Sequence, residues 1–566
     1  MSLIYGDNFY NNHVVEGSYN FACLFYCHNM ENKAKIVSCE NMVIPIDNVS
    51  EGCYFRMFQA CDTLVTAMSS IDSRTIGVSG CSCMFFKCNS LKDTPELPAD
   101  TLLESAYQYM FYNCLGLETA PELPATTLSD KCYYEMFWSC YNLVNPPSKI
   151  SATTLGEEAC RWMFSDCGSL TTIPEITIEN VGNYGMASMF YGCSGLTSAN
   201  TIHINNIGTA GCLALFEQCT SLTTPPEKIG RDSASTISTS GCAGTFINCT
   251  SLEKLPDLPA STLGDYSYYA MFNKCQNLDD TIILPASRVP DHAYEYMFYQ
   301  CSNITSASVI QADEIGVSGC SNMYAACSGL TTMSELSART VNDFGYYNMF
   351  NRCSNLTVPK RIGANSIGRG GCYQMFYLCT SLTIAPELSA TILGSSSYEY
   401  MFAWCESLTQ APVLPATTMA SNCYMDMFRA CTSLKVAPQL PALNLAESCY
   451  LEMFWECSGL TTPPSLPATV MAKECYRSMF WACTSLVNAP EIPDVQLAQQ
   501  CFFKLFAECT SLKYIKFMVK ELPDTSYTWA MTNYIGPGGT FVKSKDATWD
   551  YVGHYGVPDG WTIVLE

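Results

Sequence analysis

The chain has 566 residues, of which 48% are hydrophobic and 14% charged, and its 29 basic and 52 acidic residues give a net charge of −23. This acidic balance argues against a nucleic-acid partner, because a phosphate backbone requires a basic surface. No apolar run approaches the roughly 20 residues of a membrane-spanning helix, so no membrane insertion is predicted. The first residues lack the pattern of a secretory signal, so we expect either a mature fragment or a chain that reaches the outside by another route, such as assembly into a virion.

One short pattern recurs along most of the chain. Residues 1–50 are irregular and are predicted to form an N-terminal cap with a degenerate repeat at Phe25. Over residues 51–517 a Met-Phe pair is followed by Cys three residues after the Phe and by Leu three residues later, as in MFRACTSL at 427–434. The Phe positions run from 58 to 506, with Tyr at 324, and successive copies are 26 residues apart except for steps of 27, 27 and 30. A period of this size predicts a solenoid whose repeats bury their apolar faces against each other.

Each repeat contains two segments with different periodicity. Leu128, Cys132, Met136 and Cys140 lie four residues apart, which predicts one face of a short helix. The segment after Leu143 contains prolines, so it is predicted to be a short strand paired in parallel with the neighbouring rungs. The predicted fold class is therefore an α/β solenoid, a right-handed superhelix of about 18–19 rungs with one short strand and one short helix per rung.

The 34 cysteines follow the repeat rather than a disulfide framework. One set lies three residues after each repeat Phe, and a second lies four or five residues before it. Side chains in such columns point the same way, which suits disulfide geometry poorly. We predict buried free thiols that pack as small hydrophobic groups, with occasional disulfides or a zinc site as the alternatives.

The segments MFYGCSGLTS at 189–198, MFYLCTSLTI at 375–384 and MFWECSGLTT at 453–462 carry a family resemblance. They resemble the BspA-type leucine-rich repeat, in the Met-Phe variety of mycoplasmal lipoproteins and gut Bacteroidales surface and phage proteins. The resemblance covers the repeats at 51–517 and implies a leucine-rich-repeat fold, roles in adhesion, host-protein binding or phage appendages, and no shared catalytic residues. Residues 518–566 break the period and are predicted to form a small β cap, and their ending resembles the natural C-termini of such proteins.

Catalytic motifs are not apparent in the sequence. The five histidines are scattered, and no HExxH, GxSxG or phosphate-binding glycine motif occurs. We therefore predict a non-enzymatic protein with no cofactor and no metal site.

An acidic column is predicted on the outer side of the strands. It lies five residues after the repeat Leu, beside an inward Leu or Ile, and strand side chains alternate. Carboxylates one rung apart repel each other, and this cost suggests that the column serves to bind cations or a basic partner. The alternative interpretation is a solvated ridge that keeps the protein soluble. The acidic column comprises Glu96, Glu122, Glu175, Glu227, Asp257, Glu335, Glu387 and Glu491.

An aromatic column is predicted at the position directly after the repeat Phe. Flat, amphipathic rings that are partly in water suit stacking against sugars or a protein partner. The alternative is that these rings pack over the neighbouring rung and close the surface. The aromatic column comprises Phe86, Tyr112, Trp138, Tyr191, Tyr299, Tyr377, Trp455 and Trp481.

These features together predict a recognition or adhesion protein. We expect a phage virion appendage, such as a tail-fibre or receptor-binding subunit, that engages a host surface glycan or protein and contacts other subunits of its assembly. The alternatives are a bacterial cell-surface adhesin and a purely structural spacer. The predicted location is the virion or the cell surface.

Overall fold

The computed structural model of the protein describes residues 18–26, 36–42, 48–199, 202–357 and 359–566. Most of the predicted N-terminal cap at 1–50 lies outside these residues. The chain divides into two compact units, Met1–Pro285 and Ala286–Glu566. Each unit is a parallel β-solenoid, in which residues about 26 positions apart pair in register, as Leu102 does with Leu128.

Unit 1 contains one sheet whose strands follow chain order, β1-β2-β3-β4-β6-β7-β8-β9-β10, with β5 paired to β7. Most of its strands are only two residues long, because each rung turns immediately before and after them. The strands of unit 1 are β1 (Asn48–Val49), β2 (Thr75–Ile76), β3 (Thr101–Leu102), β4 (Thr127–Leu128), β5 (Lys149–Ile150), β6 (Thr154–Leu155), β7 (Glu175–Val181), β8 (Ile202–Ile207), β9 (Thr236–Ile237), β10 (Thr262–Leu263) and β11 (Ile283–Leu284).

Unit 2 contains a parallel sheet β12-β14-β15-β16-β17 and, near its end, a parallel sheet β18-β19-β20. The second sheet pairs Ile515 with Phe541 and Phe541 with Ile563, so residues 518–566 stack on the last repeat with the same parallel geometry. The strands of unit 2 are β12 (Arg288–Val289), β13 (Val309–Ile310), β14 (Glu314–Ile315), β15 (Thr340–Val341), β16 (Ser366–Ile367), β17 (Ile392–Leu393), β18 (Tyr514–Phe517), β19 (Thr540–Lys543) and β20 (Thr562–Leu565), and a 3₁₀ helix covers Gly553–Tyr555.

The predicted helix of each rung is wrong, although its four-residue periodicity is real. Among the described residues the segment around Cys132–Cys140 is a succession of turns, and Leu128 belongs to strand β4. The amides of Tyr133 and Phe137 donate to carbonyls of the next rung, whereas the amide of Met136 donates back to Tyr133 within the rung. In an α-helix every amide after the first turn donates to the carbonyl four residues before it, so this alternation of inter-rung bonds and three-residue bonds excludes an α-helix. No helix in the described residues is long or apolar enough to cross a membrane.

Every fourth residue of these turns has a left-handed backbone, with φ of 57° at Lys131, 53° at Glu135 and 58° at Ser139. An L-residue in this region costs about 1–2 kcal/mol relative to the right-handed form. The turn repeat accepts this cost because each turn places two consecutive residues, such as Met136 and Phe137, in the core. The neighbouring pair, Trp138 and Ser139, is then left at the surface.

The turn geometry predicts opposite effects for one substitution at two nearby alanines. Ala482 has φ of 59°, whereas Ala472 does not have positive φ, and both are half-buried. Ala482→Gly should raise the free energy of unfolding by about 0.5–1 kcal/mol, because it removes the Cβ whose steric clash makes a positive φ unfavourable. Ala472→Gly, the matched control, should lower it by a similar amount through the greater chain entropy of glycine. Chemical denaturation measures both, and an equal loss in the two variants would contradict the turn geometry.

The core of each unit is built from columns of identical residues. The repeat phenylalanines are fully buried and stack face to face between rungs, with ring centroids 5.5 Å apart for Phe85 and Phe111 and 5.6 Å apart for Phe402 and Phe428. Phe25 stacks on Phe58 at 5.2 Å in the same manner. Such stacking requires every rung to present its ring at the same height, which explains the constant period.

The cysteine column is buried, as predicted. All described cysteines are free thiols, and all except Cys23 are buried. The Sγ of Cys140 donates a hydrogen bond to the carbonyl of Phe111, 3.1 Å away, in the preceding rung, and Cys379 does the same to Phe350. Burial raises the pKa of the Cys140 thiol to about 12, so it stays protonated at neutral pH. No group of three or more potential metal ligands occurs among the described residues.

Candidate functional site

The aromatic column lies at the edge of the turn segment, where the sequence placed it. All eight of its side chains are half-buried. In a representative rung the amide of Trp138 donates to the carbonyl of Glu135, while Phe137 beside it is fully buried. The turn therefore directs Phe137 inward and Trp138 along the surface, with one edge of its ring exposed.

In unit 1 the first part of the aromatic column is closed by its own members. The rings of Phe86 and Tyr112 stack with centroids 4.5 Å apart, and Trp138 meets Tyr112 edge-on at 5.3 Å. Trp138 also packs on Trp162 at 6.0 Å and donates from Nε1 to Oδ2 of Asp166 at 3.0 Å. The faces of these rings are therefore covered by neighbouring rings, which is the closed packing described above as the alternative to a binding surface. Farther along, Tyr191 accepts a hydrogen bond from Gln218 at 2.6 Å.

In unit 2 the last part of the aromatic column is closed by cations. Trp455 and Trp481 stack with centroids 4.6 Å apart and nearly parallel planes. The guanidinium of Arg429 lies 3.8 Å from the ring centroid of Trp455, and the ammonium of Lys504 lies 4.1 Å from that of Trp481. Cation–π contacts of this kind stabilise the surface and occupy the ring faces that a ligand would need.

Several aromatic and basic residues of this surface were not predicted from the sequence, because they do not occupy the position directly after the repeat Phe. Trp162 lies two residues before its repeat Phe and Trp404 two residues after it, and both contact the aromatic column. Arg161 covers Trp162 at 4.0 Å. Counting aromatic residues at every position of the 26-residue period, rather than directly after the Phe, is the signal that would have found them.

Buried carboxylates lie beneath these rings. Asp426 is fully buried and forms an ion pair with Arg429 at 3.3 Å, and Glu135 is almost fully buried. The pKa of Asp426 is raised to about 7, chiefly by burial and also by the negative charge of Glu452. The positive charge of Arg429 opposes this shift. Burial likewise raises the pKa of Glu135 to about 7, opposed by hydrogen bonds from tyrosines and by Arg161. Both groups therefore favour the protonated form in the folded chain.

These carboxylates predict that the folded chain is more stable in mild acid. A pKa raised on folding contributes stability that is present below the unfolded pKa and is lost as the pH rises through the folded pKa of about 7. The free energy of unfolding should therefore rise from pH 8 to pH 5, with Asp426 contributing on the order of 2 kcal/mol. Chemical denaturation at both pH values, for the parent and for Asp426→Asn, measures it. Equal pH dependence in the two proteins would contradict the assignment to Asp426.

Within unit 2, the part of the aromatic column that precedes Trp455 and Trp481 opens into a groove. Tyr299 and Tyr377 belong to the first and last of four successive rungs, and the two rungs between them carry Ala325 and Asn351 at the equivalent position. The missing rings leave a concave space of about 350 Å³. We name it the tyrosine groove; it is lined by Tyr299, Gln300, Asn322, Ala325, Ala326, Asn348, Asn351, Arg352, Gln374 and Tyr377.

The lining of the tyrosine groove is polar but carries a single charge. The side-chain amide of Asn351 donates to Asn348 at 3.0 Å, and that of Gln300 lies 3.4 Å from the hydroxyl of Tyr299. Arg352 is exposed, and no ion pair to it occurs among the described residues. Amide groups, one guanidinium and two tyrosines supply both hydrogen bonds and ring faces, the combination that a polyhydroxylated or peptide ligand requires.

All members of the acidic column are exposed to solvent, but rungs with other residues at this position interrupt the column. All eight of its carboxylates are exposed. Three have partners in the adjacent rung: Glu122 accepts hydrogen bonds from Ser148, Glu387 pairs with Arg361 at 3.6 Å, and Glu491 pairs with Lys516 at 3.4 Å. Exposed pairs of this kind contribute little stability. The arrangement favours the solvated-ridge interpretation over a cation site.

One family model matches part of the chain. The family described as BspA type leucine rich repeat region matches residues 55–197 and 238–357 in six copies. Among curated proteins no sequence matches significantly.

Three solved structures illustrate the structural likeness. A leucine-rich repeat protein from Bacteroides ovatus is 18% identical, with 83% of this chain and 88% of that chain covered and a TM-score of 0.38. A leucine rich cell surface protein from Faecalibacterium prausnitzii is 14% identical, with 70% and 86% covered and a TM-score of 0.29. An internalin from Listeria monocytogenes is 13% identical, with 67% and 81% covered and a TM-score of 0.22.

Proposed function

We propose that this chain is a non-enzymatic recognition protein that binds a surface glycan or protein through its aromatic column; its match to BspA type leucine rich repeats over residues 55–197 and 238–357 supports this. The observation that carries the proposal is the tyrosine groove. Trp455 and Trp481 stack on each other and lie under cations, whereas the two rungs between Tyr299 and Tyr377 carry no ring at the equivalent position. Tyr299 and Tyr377 each contact one ring, Tyr296 at 5.4 Å and Trp404 at 5.2 Å between centroids.

A glycan is the ligand class that the tyrosine groove suits best. Sugar hydroxyls need donors and acceptors together, and the amides of Asn322, Asn348, Asn351 and Gln374 supply both. The apolar faces of sugar rings stack on flat amphipathic side chains, which Tyr299 and Tyr377 supply. A protein ligand would use the same tyrosines and Arg352, since these residue types are enriched at interfaces.

A glycan-array assay on the purified chain tests the proposal. The test variant is Tyr299→Ala/Tyr377→Ala, and the matched control is Trp455→Ala/Trp481→Ala, which removes two rings from the same column at a closed position. The parent and the control should bind the same glycans, whereas the test variant should lose at least about tenfold in affinity if each stacking ring contributes about 1 kcal/mol. Melting temperatures of all three proteins verify folding.

Two results would contradict this assignment. Binding that survives in the test variant but is lost in the control would move recognition to the closed tryptophans. Absence of binding to any glycan, together with no protein captured from host surface extracts, would favour the structural-spacer alternative. A stable homo-oligomer in solution that buries the tyrosine groove would favour that alternative as well.

The setting of this recognition protein remains a proposal with two forms. The first is a phage virion appendage that engages a host surface and contacts other virion subunits, and the second is a bacterial cell-surface adhesin. Fractionation separates them, because the first form copurifies with particles and the second with the cell envelope.

A further inference from the structure

The regular period of the repeat is broken most strongly at one place in unit 1. The repeat phenylalanines at 216 and 246 are 30 residues apart, whereas the usual step is 26. The additional residues belong to a loop at 230–235, directly before strand β9. Departures from an otherwise consistent pattern are expected at functional sites, so a ligand site is expected at this loop.

The longest strands of unit 1 lie beside this loop. Strands β7 and β8 have seven and six residues and pair in register, with Thr177 opposite His203. Their buried residues alternate with outward ones, so Thr177 and Glu179 project from β7 on the same side as His203 and Asn205 from β8. Elsewhere in the unit two-residue strands offer no comparable platform.

The loop is fixed to the platform by a buried hydroxyl. Ser235 is 1% exposed, and its Oγ accepts from the amides of Arg231 at 2.8 Å and Asp232 at 3.2 Å. The same hydroxyl donates to Oδ1 of Asn205 at 2.6 Å. Gly230 has a left-handed φ of 86°, which lets the chain reverse at this point. The base of the loop is therefore pre-organised, and Arg231 is held above strand β8.

The loop and the two strands line an open concave space of about 320 Å³, which we name the strand-loop pocket. This volume is at the lower end of the range for small-molecule sites. Arg231 pairs with Glu179 at 3.6 Å, and Asn205 donates to the same carboxylate at 3.1 Å. Lys228 and His203 also line the pocket, and no ion pair to either occurs in the part of the chain that the structure describes.

The charge of this pocket is opposite to that of the chain. Lys228 and Arg231 together carry two positive charges against the one negative charge of Glu179, which leaves a net positive charge in a chain whose net charge is −23. A guanidinium and an ammonium that line the same pocket can both contact one oxyanion. Thr177 and Asn205 add neutral hydrogen-bonding groups for the rest of a polar ligand.

We propose that the strand-loop pocket binds a small sugar through one oxyanion group, a carboxylate or a sulfate ester. Arg231 and Lys228 hold the anionic group, and Thr177 and Asn205 contact ring hydroxyls. This site is independent of the tyrosine groove, because it lies in unit 1 and shares no residue with it.

Titration calorimetry on the full chain tests this site with four probes: glucuronate, glucose 6-sulfate, inorganic sulfate and neutral glucose. Glucuronate or glucose 6-sulfate should bind at least about tenfold more tightly than glucose, because only they engage the cations. The two acidic sugars distinguish a carboxylate from a sulfate ester as the source. If inorganic sulfate binds as tightly as both acidic sugars, the sugar contacts are refuted.

The test variant is Lys228→Gln/Arg231→Gln, and the matched control is Lys254→Gln, an exposed lysine of the same unit outside the pocket. The test variant should bind the preferred acidic sugar about tenfold or more weakly, while the control and the Tyr299→Ala/Tyr377→Ala variant bind it as the parent does. Unchanged affinity in the test variant, or no preference of the parent for an acidic sugar, overturns the proposal. An unchanged melting temperature verifies that the test variant is folded.

Discussion

Phe350→Ala is expected to lower the free energy of unfolding by about 3–5 kcal/mol, the largest effect of any single truncation we predict. Phe350 is fully buried, and its ring stacks between Tyr324, 5.6 Å away, and Phe376, 5.5 Å away. Removing the ring takes away its buried apolar surface and leaves a cavity between the rings of Tyr324 and Phe376. This cavity cannot collapse, because the rung of Phe350 is hydrogen-bonded to both neighbouring rungs and holds them apart. Chemical denaturation measures the loss.

The matched control for this truncation is Phe350→Leu, which retains most of the apolar volume and should cost less than half as much. Because rungs interact chiefly with their neighbours, hydrogen exchange in Phe350→Ala should accelerate first in the rungs of Tyr324 and Phe376. A loss below about 1 kcal/mol, or uniform acceleration throughout unit 2, would contradict the stacked column.

Gly345→Ala is expected to lower the free energy of unfolding by about 2–3 kcal/mol through overpacking. A Cβ at Gly345 would lie 2.7 Å from Cγ1 of Val341 and 3.2 Å from Cγ2 of Ile315 in the preceding rung. No positive φ is involved at this glycine, so the cost is steric. Chemical denaturation of the variant measures it.

The sequence itself contains the rule behind this clash. Two positions before each repeat Phe are involved. The residue nine positions before the Phe is the inward residue of the strand, and the residue five positions before the Phe is small, as Val341 and Gly345 are for Phe350. Where the strand residue is Leu or Met, the small residue is Ala, Ser or Cys, as in Leu102 with Ala106. Where it is Ile or Val, the small residue is Gly, except in the pairs Val49–Cys53 and Val289–Ala293. A branched Cβ at the strand position occupies the space that the second side chain would need.

This rule predicts a rescue. Val341→Leu should recover about 1–2 kcal/mol of the stability lost in Gly345→Ala, because the pair then matches Leu102 and Ala106. The control is Gly168→Ala, whose new Cβ would have only Ser194 Oγ nearby, at 3.7 Å, and which should be neutral or slightly stabilising. Additive effects of the two substitutions in a double-mutant cycle would contradict the rule.

The sequence alone determined much of this protein. The spacing of Phe111, Phe137 and their equivalents predicted the solenoid and its period, because only stacked identical rungs bury one ring per repeat. The cysteine positions predicted buried thiols, and strand alternation predicted that residues such as Glu96 and Glu122 are exposed. These inferences depend only on which residues share a face of the solenoid, and the repeat period determines this.

The tertiary structure decided what the period leaves open. Residues four apart share a face both in an α-helix and in a succession of four-residue turns, and the choice depends on whether the amide of Tyr133 bonds within its rung or to the next. Likewise, a ring such as Trp138 is closed or open according to what the neighbouring rung places beside it. The tyrosine groove and the strand-loop pocket exist because particular neighbours depart from the repeat, and contacts between rungs are fixed only when the rungs are stacked.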